Sequence, residues 1–152
     1  MARLQILVDA DACPVKEEIY KVALRHEVAV KIVSNSPFRV LVHPLIERVV
    51  VGSGFDEADD WIAERATAHS IVVTADILLA DRCVKAGATV IAPTGKPFTA
   101  ASIGGAVATR AIMADLRAGG DTIGGPAPFA KTDRSRFLGT LDAALVKMKR
   151  SA

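Results

Sequence analysis

Ile6-Leu7-Val8-Asp9-Ala10-Asp11-Ala12-Cys13-Pro14 is the stretch that decides the fold. An unbroken apolar run ends abruptly in two carboxylates. A run without polar alternation reads as a strand buried on both faces. Pro14 suits the first turn of a helix, where its missing N–H costs nothing. Asp9 and Asp11 therefore stand at the exit of a buried strand. In an open parallel sheet, ligands bind in the crevice beyond the strands' carboxyl ends. An N-cap accounts for one of these carboxylates and leaves the other unexplained. Two acids held close raise each other's pKa unless a cation or a proton shares the space.

Working outward, the same strand-then-helix pattern recurs. Val15, Ile19, Val22 and Ala23 predict a helix over 16–26, and 28–33 reads as a second strand that ends in the small polar residues Ser34-Asn35-Ser36. A third strand over 46–51 leads through Gly52-Ser53-Gly54 into a helix that begins near Phe55. A fourth strand over 71–75 runs into Asp76 and a helix over 77–86, with Gly87 as its stop. A fifth strand over 88–92, a turn-rich loop over 93–97 and an Ala-rich helix over 99–118 follow. A glycine-rich loop over 119–128 separates it from a last helix over 133–150. Alternating strands and helices imply an α/β fold with a mainly parallel sheet and helices on both faces.

At 152 residues the chain is expected to form one domain over 1–152, with a basic helical segment from about 119 onward. With 51% hydrophobic and 5% aromatic residues, its core must be aliphatic. The net charge of +2 is unevenly spread. Residues 1–109 carry 11 basic and 13 acidic side chains, and residues 110–152 carry 8 basic and 4 acidic ones. An acidic body with a basic tail suits a metal site beside a phosphate-binding surface, although a solvated helix has the same composition. Cys13 and Cys83 follow no zinc or redox spacing and read as buried reduced thiols. There is no stretch of roughly 18 apolar residues that would span a bilayer, and no signal-peptide pattern. The expected location is the cytoplasm.

Three acidic clusters fall at corresponding places. Asp9 and Asp11 end the first strand. Asp56, Asp59 and Asp60 open a helix, and their spacing lets them share one helix face. Asp76 ends the fourth strand, with Asp81 one to two turns later. If the first and fourth strands are neighbours, these acids converge on one crevice. Carboxylates of this kind suit Mg²⁺ or Mn²⁺, which promote phosphodiester hydrolysis. Each acid also has an ordinary explanation. Asp56 and Asp76 suit helix caps, and Asp81 suits a solvated helical surface.

The sequence resembles the YaiI/YqxD family of bacterial proteins, within the PIN-like nuclease superfamily. The resemblance covers nearly the whole chain. It rests on Asp9-Ala10-Asp11-Ala12-Cys13-Pro14-Val15-Lys16, Val33-Ser34-Asn35, Gly54-Phe55-Asp56-Glu57-Ala58-Asp59-Asp60-Trp61-Ile62, Thr74-Ala75-Asp76-Ile77-Leu78-Leu79-Ala80, Gly124-Gly125-Pro126 and Asp133-Arg134. It implies a three-layer fold with sheet order 3-2-1-4-5. It also implies that Asp9, Asp59 and Asp76 occupy metal-site positions. From the acidic clusters themselves, Asp60 and Asp81 are further candidate ligands and Asp11 is a catalytic candidate. Glu17 and Glu18 lie near the first-helix acid of PIN-like domains, but not in its register.

The activity these residues point to is metal-dependent hydrolysis of RNA in preference to DNA. Lys16, Ser34, Asn35, Arg110, Lys131 and Arg134 are the substrate-binding candidates, with Arg117 and Arg136 in the same basic segment. Two other readings compete. A haloacid-dehalogenase-like phosphatase would use Asp9 as nucleophile, Asp11 as general acid/base and Ser34 as its second motif. Against it, Ser34 follows Asp11 very closely, and Cys13 stands where Thr or Val is usual. A non-catalytic PIN-like scaffold would bind RNA or protein without cutting. The few aromatic residues, which the sequence does not cluster, make a dedicated single-strand binder less apt.

Overall fold

The opening apolar run is strand β1 (Gln5–Asp9), and it lies in the interior of a six-stranded sheet. The computed structural model describes residues 3–10, 13–36, 38–52, 54, 56–118 and 129–151. Asp11 and the glycine-rich stretch 119–128 lie outside the described residues. Beside β1, the strands are β2 (Ala29–Ser34), β3 (Ile46–Val50), β4 (Ser70–Val73), β5 (Thr89–Ile91) and β6 (Pro97–Phe98). The helices are α1 (Lys16–His26), α2 (Glu57–Arg65), α3 (Ile77–Lys85), α4 (Ala100–Ala118) and α5 (Lys131–Ser151).

The sheet order is β3-β2-β1-β4-β5-β6. Neighbours from β3 to β5 pair in parallel, as strand-helix alternation requires. The expected order 3-2-1-4-5 is present and is extended by β6, antiparallel to β5. A two-residue strand carries no periodic signal, which is why 93–97 reads as loop. Pro97 restricts β6 to the edge, where a missing N–H is tolerated. The turn before it packs against α5: Gly95 has φ +89°, and a Cβ there would come within 2.7 Å of the Arg136 carbonyl carbon and Phe137 N.

Alternation along β1 builds the three layers. Ile6 and Val8 join one core with Ile19, Val30, Ile71, Phe137 and Leu141. Leu7 joins the other with Ile62, Val72, Leu79, Cys83 and Ile103. Helices α1 and α5 therefore cover one face, and α2, α3 and α4 the other. On the first face His26 Nε2 meets Asp142 Oδ1 at 2.7 Å, tying α1 to α5.

Helix ends follow local chemistry. Helix α1 ends on Glu27 in the left-handed region, φ 57°, whose N–H bonds back to Ala23 and Leu24 carbonyls. Helix α5 starts two residues before the expected position. Asp133 is not its cap but a residue of its first turn, and its Oδ2 reaches back to accept from Ala130 N at 2.9 Å. Cys83 is buried and Cys13 only half-buried, and both are free thiols. Burial pushes each thiol up to about 11, so neither is a reactive thiolate. No described helix is long and apolar enough to cross a membrane.

Candidate acidic site at the sheet's switch point

Strand β1 crosses to β2 through α1 on one face, whereas β4 crosses to β5 through α3 on the other. The strand order therefore reverses between β1 and β4, which opens a crevice at their carboxyl ends. The register pairs Val8 with Val73, so Asp9 and Thr74 come next, side by side. Alternation from Leu7 and Val72 turns both toward the α2–α3 face. Asp9 is 8% exposed and Thr74 1%.

One hydrogen-bonded chain links the two strand ends. Thr74 Oγ1 donates to Asp9 Oδ2 at 2.9 Å and accepts from Asp76 N at 3.0 Å. Asp76 caps α3: its Oδ1 accepts from Leu78 N at 2.9 Å and Leu79 N at 3.2 Å. Capping uses one oxygen, so it does not compete with a ligand role for Oδ2. Thr74 is the residue that sequence reasoning missed. Its signal was a hydroxyl two residues before a capping Asp, the spacing of a side-chain-to-backbone turn.

Helix α2 brings Asp59 to the same end of the same face. The expectation that Asp56 caps α2 is corrected. Asp56 occupies the cap position, but at φ 64° its side chain accepts no cap hydrogen bond. Asp tolerates this left-handed backbone better than most residues. Asp59 registers the convergence of charge. Its carboxyl is pushed up to about 6, first by burial and then by the carboxylates of Asp76, Asp9 and Asp56, with Arg82 opposing.

The other candidates are placed differently. Asp60 pairs with Arg82 Nη1 at 2.8 Å, joining α2 to α3, and Asp81 pairs with Lys85 Nζ at 2.9 Å along α3. Asn35 is exposed, and Ser34 is buried with its Oγ accepting from Ser36 N. Alternation from Ile32 and Val33 turns Ser34 toward the α1 face, away from Asp9. Arg134 Nη1 donates to Pro14 O at 2.6 Å and to Glu18 Oε1 at 3.1 Å, and its guanidinium lies over Phe129. This holds the start of α5 against the exit of β1. Lys131 is exposed at the same helix start. Arg110 is exposed on α4, which packs on the opposite side of the sheet from α5. Tyr20, Phe38 and Phe129 pack against one core, drawn from segments far apart in the chain.

The acids around Asp59 offer only oxygen donors, which suits Mg²⁺ or Mn²⁺. Their mutual repulsion is what a divalent cation relieves. Among the described residues, no three Asp, Glu, His or Cys side chains already stand at ligand spacing. An ion there therefore calls for side-chain movement or for Asp11. A separate cavity of about 600 Å³ lies at the opposite end of the sheet, lined by Leu4, His69, Thr89, Pro97, Ala144 and Met148 among others.

Fold and site together define a three-layer α/β protein with an acidic centre at its switch point. The chain belongs to the family described as "Uncharacterized BCR, YaiI/YqxD family", whose model matches residues 7–147. It is 75% identical to a UPF0178 protein of Sphingopyxis alaskensis over 146 residues, 95% of each chain. A UPF0178 protein of Nitrobacter winogradskyi is 58% identical over 151 residues, covering 99% of this chain and 96% of its own. One from Rhodopseudomonas palustris is 60% identical over 149 residues, 98% of this chain and 94% of its own. No solved structure matches the chain.

Proposed function

We propose that this protein is a metal-dependent nuclease of the PIN-like kind, hydrolysing phosphodiester bonds in RNA. RNA is preferred over DNA on that resemblance. The observation that carries the proposal is Asp59, held protonated up to about pH 6 by burial and the carboxylates of Asp76, Asp9 and Asp56. Like charges gathered at a crevice mark a functional site more often than a structural one.

Asp9, Asp59 and Asp76 would hold Mg²⁺ or Mn²⁺. That ion, when bound, supplies Lewis acidity toward the phosphodiester and an activated water. Thr74 fixes Asp9 through its hydroxyl, and the helix cap fixes Asp76. Two of the three ligands are thus preorganised. The Asp60–Arg82 pair ties α2 to α3 and so keeps Asp59 facing Asp76. Asp11 or Asp60 would orient the ion or the attacking water. Lys131 and Lys16, either side of the Arg134–Pro14 contact, meet phosphates of the strand. The phosphatase reading needs Ser34 beside Asp9, and the alternation of β2 turns it to the other face.

The test is cleavage of single-stranded RNA with Mn²⁺ by wild type and Asp76→Asn, beside p-nitrophenyl phosphate. Asparagine is also a good N-cap, so this change keeps α3 intact. Wild type should cut RNA only with metal, and Asp76→Asn should lose at least about a hundredfold, as removal of a ligand does. Equal cleavage by both proteins would expose a contaminant. Hydrolysis of the monoester alone would favour a phosphatase, and RNA binding without turnover a scaffold.

A further inference from the structure

The cavity of about 600 Å³ at the amino end of the sheet shares no residue with the acidic centre. Strand alternation sets its floor. Leu4 stands two residues before Ile6, His69 two before Ile71, and Thr89 two before Ile91. Those isoleucines are buried on the α5 face, so Leu4, His69 and Thr89 turn to that face as well. Pro97 joins them as the register partner of Ile91. Helix α5 is the roof. Phe137, Leu141 and Leu145 fill one flank of its inner stripe and are fully buried. The other flank carries only Thr140, Ala143 and Ala144, three and four residues apart on one helix side, before Met148.

These small side chains leave a hollow where a protein interior is otherwise packed with few voids larger than a water molecule. Leu4, Ala144 and Met148 are half-buried, not buried, because they face that space. The polar part of the lining is small and of one sign. Lys147, one turn beyond Ala143 and Ala144, is exposed at the edge. His69, Thr89 and Thr140 supply the remaining polar side chains, and no Asp or Glu belongs to the lining.

We propose that this cavity binds a medium-chain monocarboxylate. Its chain lies against Leu4, Ile91 and Met148, and its carboxylate lies beside Lys147. The volume falls within the range of roughly 300–1,000 Å³ that holds a drug-sized ligand, and an apolar wall with a few polar groups is the usual make-up of such a site. A lining with a cation and no carboxylate is complementary to a negative head group. One ammonium matches one negative charge. A phosphate monoester carries nearly two and calls for more donors than one ammonium supplies. Binding here needs neither metal nor cutting, so it stands apart from the nuclease reading.

Carbon-13 labelling of the methionine methyl groups gives one NMR reporter in the cavity, Met148, and one outside it, Met113 on α4. Octanoate and decanoate, titrated in EDTA below their micellar range, should move the Met148 signal and leave Met113 in place. Each added methylene should tighten binding by up to about fourfold. Lys147→Gln should weaken octanoate about fivefold and leave 1-octanol unchanged, as loss of an exposed ion pair does. Lys149→Gln removes a charge from the same helix outside the lining and should leave octanoate affinity within about twofold. Ala144→Leu and Thr140→Leu each fill the hollow and should weaken decanoate at least about tenfold, with thermal melting showing which variants are folded. A still Met148 signal at millimolar decanoate would overturn the proposal. So would equal movement of Met113, or decanoate binding that survives in the folded filling variants. Octanoate and 1-octanol weakened equally by Lys147→Gln would overturn it too, because the head group would then not be read as an anion.

Discussion

The two ends of the sheet bury polar groups under opposite conditions. At the amino end Ser70 is fully buried, and its Oγ accepts from Thr67 N at 3.1 Å and from Gln5 Nε2 at 3.5 Å. Ser70 N donates to Thr67 O, and His69 N to Thr67 Oγ1. Donors and acceptors answer one another within a single turn. At the carboxyl end Asp9, Thr74 and Asp76 are also linked, but Asp59 is pressed toward three other carboxylates. A buried group with its partners stabilises the fold. One held against its like is a cost that the fold carries for another purpose. Substitutions at the two ends should therefore change stability with opposite sign.

The larger effect belongs to the amino end. Ser70→Ala removes the acceptor of the Thr67 N–H and leaves that donor without a partner. This should cost about 1–3 kcal/mol in urea unfolding. It should leave any thermal shift given by Mn²⁺ intact. An Mn²⁺ shift that disappeared with Ser70 would mean that the two ends are not independent.

The opposite sign is expected at Asp59. Its folded pKa, about 6, lies above the ordinary 3.8. Between those values the folded state binds the proton more tightly than the unfolded state. This group's contribution therefore falls as pH rises from about 4 to about 6, and its full penalty is present at neutral pH. Asp59→Asn should remove that slope and stabilise the metal-free protein at pH 7 by about 1 kcal/mol, after allowing for screening by solvent. The Tm difference between variant and wild type, followed from pH 4 to pH 7.5 in EDTA, measures it. A difference that does not grow with pH would remove Asp59 from the cluster. Millimolar Mn²⁺ should close the gap by stabilising wild type alone.

What the sequence revealed, and what it hid, follows the same division. The central strand and the acid at each strand exit are local patterns, whereas the sheet order came from the family resemblance. The local patterns depend on an apolar run, a period of two and a Pro or Asp at the turn. Strand β6 was hidden because two residues carry no period. The idle cap at Asp56 was hidden because cap preference follows residue type, whereas its left-handed φ is not legible from residue type. The Thr74 bridge needs β1 and β4 side by side, a contact across 65 residues. The pairing of Asp60 with Arg82 crosses 22 residues between two helices. Residue types were legible, and their partners were not.

The smallest effect is the most specific. Arg82 bonds Asp60 at the surface, and such pairs contribute about 0–1 kcal/mol. Arg82→Gln should therefore shift Tm little, and less still at high salt. Its positive charge also holds the Asp59 carboxyl down against the three acids that raise it. Without Arg82 the proton on Asp59 should be held to higher pH. The pH at which the growing difference between wild type and Asp59→Asn levels off should move upward when both carry Arg82→Gln. Nothing in a simple surface ion pair would produce that displacement, because Asp60 is exposed and lies on the other side of the pair. An unmoved levelling point would place Arg82 outside the field of the acidic centre. A levelling point that moves with almost no change in Tm would identify Arg82 as a cation that tunes the centre without holding the fold together.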